Sequence, residues 1–152
     1  MKFKVLTCLV LIDGGLIYAQ SYLWPTTASY LLTSSFAEYR SGHFHAGIDI
    51  KTWNQEGYPV LAVRPGYIWQ VRVSPYGYGK VLYQKLDTGE FAVYAHLSRF
   101  ADKIQTIVEK EQQRSGKFSI SLQFNPGELP VESGEVIAFT GQTGSGSPHL
   151  HF

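Results

Sequence analysis

The chain has 152 residues, a formal charge of +1 at pH 7, and only 16% charged residues. This length fits one domain with a sizeable core, and the near-neutral charge argues against a protein that binds nucleic acid. A hydrophobic fraction of 44% fits a globular protein, and the 15 glycines and 10 tyrosines favour β structure.

The first predicted element is a secretory signal. A basic start and an apolar stretch are followed by the small residue Ala19 before Gln20, the order typical of a cleaved signal. We predict a signal at residues 1–19 and a location that is secreted, periplasmic or in the cell envelope. The stretch is too short and interrupted for a membrane span, so no stable membrane insertion is expected. The only cysteine, Cys8, lies inside it, so residues 20–152 hold no disulfide and no cysteine-based zinc site.

Short strands dominate the rest of the prediction. Apolar or alternating segments bounded by glycine and proline turns predict strands at 58–63, 67–73, 80–86, 91–97, 117–124, 135–141 and 148–152. The turn chemistry of residues 87–90 (DTGE) predicts a hairpin between two of these strands. Along the strand 91–97, alternation predicts that Ala92, Tyr94 and His96 share one face.

One predicted helix interrupts this β pattern. Ser98 can cap it, Ile104, Ile107 and Val108 follow helical spacing, and Gly116 can end it. The chain is therefore predicted to be a mainly antiparallel β domain with one α helix.

Histidines cluster in three of these segments. There are five, at His43, His45, His96, His149 and His151. In a strand, His149 and His151 share a face and lie about 6.5 Å apart. His45 and Asp49 also have an even spacing, but in an extended strand they would be about 13 Å apart. Gly47 could permit the bend that both side chains need to reach one ion.

These residue types suit a zinc site. His45, Asp49 and one histidine of the terminal pair would form a set of two imidazoles and a carboxylate with one open position, which is typical of catalytic zinc. Zinc lowers the pKa of bound water to about 7 and so provides a nucleophile at neutral pH. The remaining terminal histidine and His96 could transfer protons or stabilise an oxyanion.

Three motifs resemble the signatures of the lysostaphin-like (LytM-type, family M23) zinc metallopeptidases. They are HAGID at 45–49, YAHL at 94–97 and the final GQTG…PHLHF at 141–152. The resemblance covers most of the chain from about Thr33 and includes PVLAVRPGYI. It implies an antiparallel β-sheet groove with one inserted helix, and a zinc endopeptidase that cuts stem peptides or cross-links of bacterial peptidoglycan.

The resemblance also implies a role for individual residues. The implied zinc ligands are His45, Asp49 and His151. The implied catalytic residues are His96 and His149, with His149 acting on the attacking water and His96 supporting the oxyanion, or the two roles exchanged. Tyr39 stands six residues before the first ligand, where family members can carry a tyrosine that helps stabilise the transition state.

Three features depart from the family pattern. Residues from about 100 to 130 add a helix and a strand, which we expect to form a wall or lid beside the cleft. His43 precedes a predicted ligand by two residues and could compete for metal. The family continues beyond the position of Phe152, so the peptidase domain at 20–152 is expected to be C-terminally incomplete.

Two other functions fit the sequence less well than an endopeptidase. A catalytically inactive family member that binds or activates another cell-wall hydrolase would lack one or more of the ligands, all of which are present. A biotinyl- or lipoyl-type carrier needs a lysine at a hairpin tip and has no use for the histidines. The expected partner is bacterial peptidoglycan, no nucleic acid is expected, and the protein is expected to be a monomer.

Overall fold

The computed structural model of the chain describes residues 22–152, so the signal predicted at 1–19 lies outside the described residues. The described strands are Leu32–Ser34 (β1), Tyr39–Arg40 (β2), His43–Phe44 (β3), Asp49–Lys51 (β4), Pro59–Leu61 (β5), Gly66–Val73 (β6), Lys80–Leu86 (β7), Phe91–Tyr94 (β8), Arg99–Phe100 (β9), Ile120–Gln123 (β10), Pro130–Val131 (β11), Val136–Phe139 (β12) and His149–His151 (β13). One helix is described, Asp102–Ser115 (α1). The fold is therefore mainly β, as predicted.

The largest sheet has the strand order β10–β6–β7–β8, with every neighbouring pair antiparallel, and β11 also pairs with β6. β7 has the predicted bounds. The predicted turn at 87–90 joins it to β8, with the Leu86 N–H donating to the Glu90 carbonyl and Gly89 at a φ of +103°. Within residues 22–152, no helix has the length and apolar character needed to span a bilayer.

The strand predicted at 91–97 ends early. Ala92 and Tyr94 are buried on one face, as predicted, and the strand stops there. His96 then adopts a left-handed backbone conformation with a φ of +58°, so the strict alternation of a strand does not apply to it. Its N–H donates to the Tyr78 carbonyl at 3.0 Å, a contact from a distant loop.

α1 matches the prediction at one end only. Ile104 and Val108 are buried, and Gly116 ends the helix with a φ of +65°. The short strand β9 precedes the helix, whose N-cap is Ala101, so the prediction of Ser98 as the cap is wrong. Arg99 and Phe100, which follow Ser98, pair with β12 instead of starting the helix. The local sequence did not reveal that pairing.

The segment predicted as an insertion lies at the far edge of the large sheet. β10 pairs with β6, two strands away from β8, and α1 contacts β9 and β10. In the described chain, no hydrogen bond, ion pair or ring contact joins residues 101–131 to the predicted ligands or catalytic histidines. The segment therefore extends the core at the sheet edge, and its role as a wall or lid beside the cleft stays a prediction.

A small sheet with the order β1–β4–β13 positions the candidate site. β13 pairs antiparallel with β4, so that His149 lies opposite Lys51 and His151 lies opposite Asp49. Between these two pairs, Ile50 lies opposite Leu150, and both side chains are fully buried in the core on the other face of the sheet. This register brings histidines from one end of the described chain next to an aspartate from the other.

Candidate metal centre

Three buried side chains converge on one point. His45 Nε2 lies 2.9 Å from His151 Nδ1 and 3.1 Å from Asp49 Oδ1, and His151 Nδ1 lies 3.0 Å from the same oxygen. The distance between His45 and Asp49 is far shorter than an extended strand allows, so the predicted bend is present. We call these three donor atoms the ligand triangle.

The chemistry of the ligand triangle fits a metal ion. His45 Nδ1 lies 2.9 Å from the Ser35 carbonyl, which can only accept, so the ring carries its proton there and Nε2 presents a lone pair to the triangle. At most one proton could lie between any two of the three atoms, whereas a divalent cation can accept all three lone pairs. Imidazole nitrogen and carboxylate oxygen are also ligands that Zn²⁺ prefers.

Arg40 orients the carboxylate of the triangle. Its Nη2 donates to Asp49 Oδ2 at 2.5 Å and to Ser34 Oγ at 2.9 Å, which leaves Oδ1 directed at the two histidines. Burial raises the pKa of the Asp49 carboxyl, but the contacts with His151 and Arg40 outweigh it and hold the pKa well below its usual range. Asp49 is therefore ionised at neutral pH, as a metal ligand must be.

The bend between His45 and Asp49 depends on Gly47. A Cβ at this position would lie 2.5 Å from the Phe152 carbonyl oxygen and 2.9 Å from His151 Nε2. The backbone of Gly47 is not in the left-handed conformation. Glycine is needed here because there is no space for a Cβ.

We expect Gly47→Ala to lower the free energy of unfolding by about 1–3 kcal/mol, the usual cost of overpacking, and to weaken zinc binding. The added methyl must displace either β13 or the His151 ring. Gly146→Ala is the matched control, because a Cβ there has no atom within 4 Å. Denaturant unfolding with and without zinc measures both effects, and equal curves for the two variants would contradict the expectation.

Two further histidines lie beside the ligand triangle. The ring centroids of His96 and His149 are 4.6 Å apart, and His149 Nε2 is 3.5 Å from Asp49 Oδ1. Nδ1 of His96 lies 2.9 Å from the Thr143 carbonyl, and Nδ1 of His149 lies 2.9 Å from the Ser147 carbonyl. Each ring therefore donates its Nδ1 proton to a carbonyl and keeps a lone pair on Nε2.

The charge state of His96 follows from its burial. Burial lowers the pKa of His96 to about 4, against the opposing effect of the hydrogen bond to the Thr143 carbonyl. The ring is therefore neutral at pH 7, and its Nε2 is free to accept a proton.

Tyr39 and His43 lie outside this group. Both belong to the β2–β3 hairpin, and Tyr39 is 73% exposed with its ring packed edge-on against Phe44 at 5.8 Å. In residues 22–152, neither side chain has a hydrogen bond, ion pair or ring contact with the ligand triangle or the two adjacent histidines. The catalytic role of Tyr39 stays a prediction, and the structure gives no support to His43 as a competing ligand.

A different tyrosine contacts the site. The Tyr78 ring centroid is 5.0 Å from that of His151 and 6.3 Å from that of His96. The sequence PYGYG at 75–79 predicted only a turn at the cleft edge. Gly79 is the one residue of this stretch that points to the contact. A Cβ there would lie 2.1 Å from the Thr143 carbonyl oxygen, so the turn packs closely against the glycine-rich loop before β13.

Two cavities border the ligand triangle. The polar cavity, about 500 Å³, has Arg40, Asp49, Lys51, Thr52, Trp53 and His149 among its lining residues. The apolar cavity, about 400 Å³, has Phe36, Gly47, Tyr78, Phe91, His151 and Phe152 among its lining residues. Each is large enough for part of a peptide, and the ligand triangle contributes to both walls.

Comparison with known proteins shows a similarity to one family. The sequence model of peptidase family M23 matches residues 43–115. A mutant catalytic domain of the prophage-encoded M23 protein EnpA from Enterococcus faecalis is 25% identical, with a TM-score of 0.55, over 80% of this chain and 76% of that chain. The catalytic domain of the antimicrobial peptidase lysostaphin from Staphylococcus simulans is 25% identical, with a TM-score of 0.56, over 80% and 77%.

A zinc-containing peptidase from Vibrio cholerae is also similar, with 25% identity and a TM-score of 0.61. The match covers 86% of this chain but only 35% of the Vibrio protein. No curated protein matches the chain.

The fold and the site thus define a metallopeptidase-like β domain that is similar to peptidase family M23. The resemblance inferred from the three motifs is confirmed at the level of the family. The matched range ends before His149 and His151, so the inclusion of these two residues in the site rests on the geometry described above.

Proposed function

We propose that the protein is a zinc-dependent endopeptidase that hydrolyses peptide bonds in the stem peptides or cross-links of bacterial peptidoglycan. The observation that carries the proposal is the ligand triangle with two histidines beside it, each with a free Nε2 lone pair. Similarity to a peptidase family supports hydrolysis, and two imidazoles with a carboxylate support zinc as the cofactor.

Zinc held by His45, Asp49 and His151 would activate water as the nucleophile and polarise the scissile carbonyl. The protein's own residues then manage the protons. We assign His149 to accept the proton of the attacking water, because its Nε2 lies 3.5 Å from a ligand oxygen while its Nδ1 is held by the Ser147 carbonyl.

His96 has the same arrangement, with Nδ1 held by the Thr143 carbonyl and Nε2 unprotonated. A histidine in this state can support an oxyanion or protonate the leaving amine only after it has taken up a proton. The low pKa that burial gives His96 disfavours this uptake, which supports the assignment of the first proton to His149, although the sequence leaves the two roles exchangeable.

We propose that the protein acts outside the cytoplasm, as a monomeric domain at 20–152. The basic and apolar start of the chain supports export, and peptidoglycan lies outside the membrane that an exported protein crosses. Export also suits a chain with no cysteine after Cys8, because no thiol is left to oxidise.

The test is to incubate zinc-loaded protein with purified peptidoglycan and to identify the soluble fragments by mass. We expect fragments with new amino and carboxyl termini at one type of peptide bond, no release with a chelator present, and recovery when zinc is restored. Protein that folds, binds zinc and sediments with peptidoglycan but releases nothing would contradict the proposal and favour the non-catalytic alternative.

A further inference from the structure

The polar cavity contains a cation that the proposed reaction does not use. Lys51 follows Asp49 by two residues in β4 and lies opposite His149 in the pairing with β13, so it shares the face of the ligand triangle. Its Nζ lies 4.4 Å from the centroid of the Trp53 ring and has no ion-pair partner within 4 Å among the described residues. The ammonium is therefore available to a ligand in the cavity.

The other charged groups in the cavity wall already have polar partners. The Arg40 guanidinium donates to Asp49, which is itself part of the ligand triangle. The Glu38 carboxylate accepts a hydrogen bond from the Ser34 hydroxyl at 2.9 Å and another from the Ser35 N–H at 3.4 Å. The four charged groups of the wall, Glu38, Arg40, Asp49 and Lys51, sum to zero. Lys51 is the one whose charged atom has no ion-pair partner or hydrogen-bond partner among the described residues, so it is the group of the wall that can bind an anion.

A strained turn forms the rim of this cavity. Trp53 and Asn54 both have a φ of +57°, a left-handed conformation that asparagine tolerates but that is costly for tryptophan; strain of this kind is often found at functional sites. The turn closes where the Gln55 N–H donates to the Thr52 carbonyl. It holds the Trp53 ring, which is 51% exposed, against the Lys51 ammonium.

The wall also contains an unsatisfied polar atom. The hydroxyl of Thr52 is the one buried side-chain polar atom in residues 22–152 without a hydrogen-bond partner, and the residue is 1% exposed. Buried polar groups without a partner are uncommon, and each one calls for an explanation such as a bound water or ligand.

We propose that the polar cavity is a subsite for a substrate residue that carries a free carboxylate, with Lys51 as the residue that recognises it and Trp53 as the wall against which it packs. This inference rests on the proposed function and adds the class of substrate. An ammonium and a carboxylate form a charge-assisted hydrogen bond, which is stronger than a neutral one. Two residues of strand separate Lys51 from Asp49, about 6.6 Å, so the recognised carboxylate belongs to a residue within about two positions of the scissile bond.

The test compares purified peptidoglycan with the same material after its carboxylates have been converted to carboxamides by carbodiimide and ammonia. We expect the zinc-loaded protein to cleave the native material about 10-fold faster than the amidated material, the size of effect of one hydrogen bond to a charged group. Lys51→Met should remove this preference. Lys110→Met, which removes the same charge from the exposed side of α1, should retain it. A Lys51→Met variant with the full preference would overturn the inference.

A binding measurement separates this inference from the proposed function. The His96→Ala variant should sediment with native peptidoglycan more strongly than with amidated peptidoglycan, and adding Lys51→Met should abolish the difference. Binding that depends on Lys51 but not on amidation would assign the cavity to another wall anion and overturn the carboxylate. If the wild-type protein cleaves neither material, the endopeptidase proposal fails, while sedimentation still decides the carboxylate subsite.

Discussion

Asp49→Ala is expected to abolish both zinc binding and peptidoglycan cleavage, and His45→Ala is expected to do the same. Each change removes one of the three donors of the ligand triangle, whose atoms lie about 3 Å apart. Changes to residues that only orient ligands typically cost 10–100-fold in metal affinity, so the loss of a ligand should cost more than about 100-fold. Elemental analysis of dialysed protein measures the zinc content, and fragment release from peptidoglycan measures the activity.

His43→Ala is the matched control for this experiment. It removes an imidazole from the same segment, two residues from a ligand, but from a side chain that is exposed and outside the ligand triangle. We expect full zinc content and unchanged cleavage for it. One zinc per chain in a folded Asp49→Ala variant would show that the triangle is not the metal centre.

His96→Ala and His149→Ala are expected to keep zinc and lose cleavage. Neither residue supplies an atom to the ligand triangle, yet each holds a free Nε2 beside it. A positioned acid or base contributes about 10²–10⁴-fold to a rate, so we expect turnover to fall by at least about 100-fold. The zinc content of each variant should match that of the wild-type protein.

These two sets of variants check each other. If His96→Ala or His149→Ala lost zinc while His45→Ala retained it, the ligand assignment would be wrong and not merely the mechanism. Thermal unfolding of each variant with zinc separates a lost ligand from a lost fold, because metal that binds only the folded state raises its stability.

The polar and apolar cavities give the two sides of the ligand triangle different character. One side presents a cation, a tryptophan and hydroxyl groups, and the other presents phenylalanines and Tyr78. A peptide that crosses the metal centre would therefore meet a charged environment on one side only. The preference for a carboxylate should depend on Lys51 and should be insensitive to changes in the apolar cavity.

Local chemistry accounts for the predictions that the structure confirms. The turn at 87–90 closes the predicted hairpin because Gly89 supplies a positive φ, and α1 ends at Gly116 for the same reason. The bounds of β7 were predicted because its alternation is bounded by clear turn residues. The residue types of the site were also predictable, because zinc chemistry without cysteine leaves only imidazole and carboxylate.

Contacts between distant segments account for what was missed. Ser98 does not cap α1, since its successors pair with β12, and His96 leaves the strand alternation because it bonds to the Tyr78 loop. Arg40 lies in a separate hairpin, nine residues before the carboxylate that it orients, and nothing in its own segment indicates that contact.

The amino-acid sequence alone determined the class of fold, the family resemblance and the kinds of residue available for catalysis, because these depend on periodicity, turn chemistry and short motifs. Only the tertiary structure decided which atoms face one another. The register of β13 against β4 turns His151 towards Asp49 and His149 towards Lys51. A shift of that register by one residue would send these side chains to the opposite face, and the interaction that prevents it is the burial of Ile50 and Leu150 in the core.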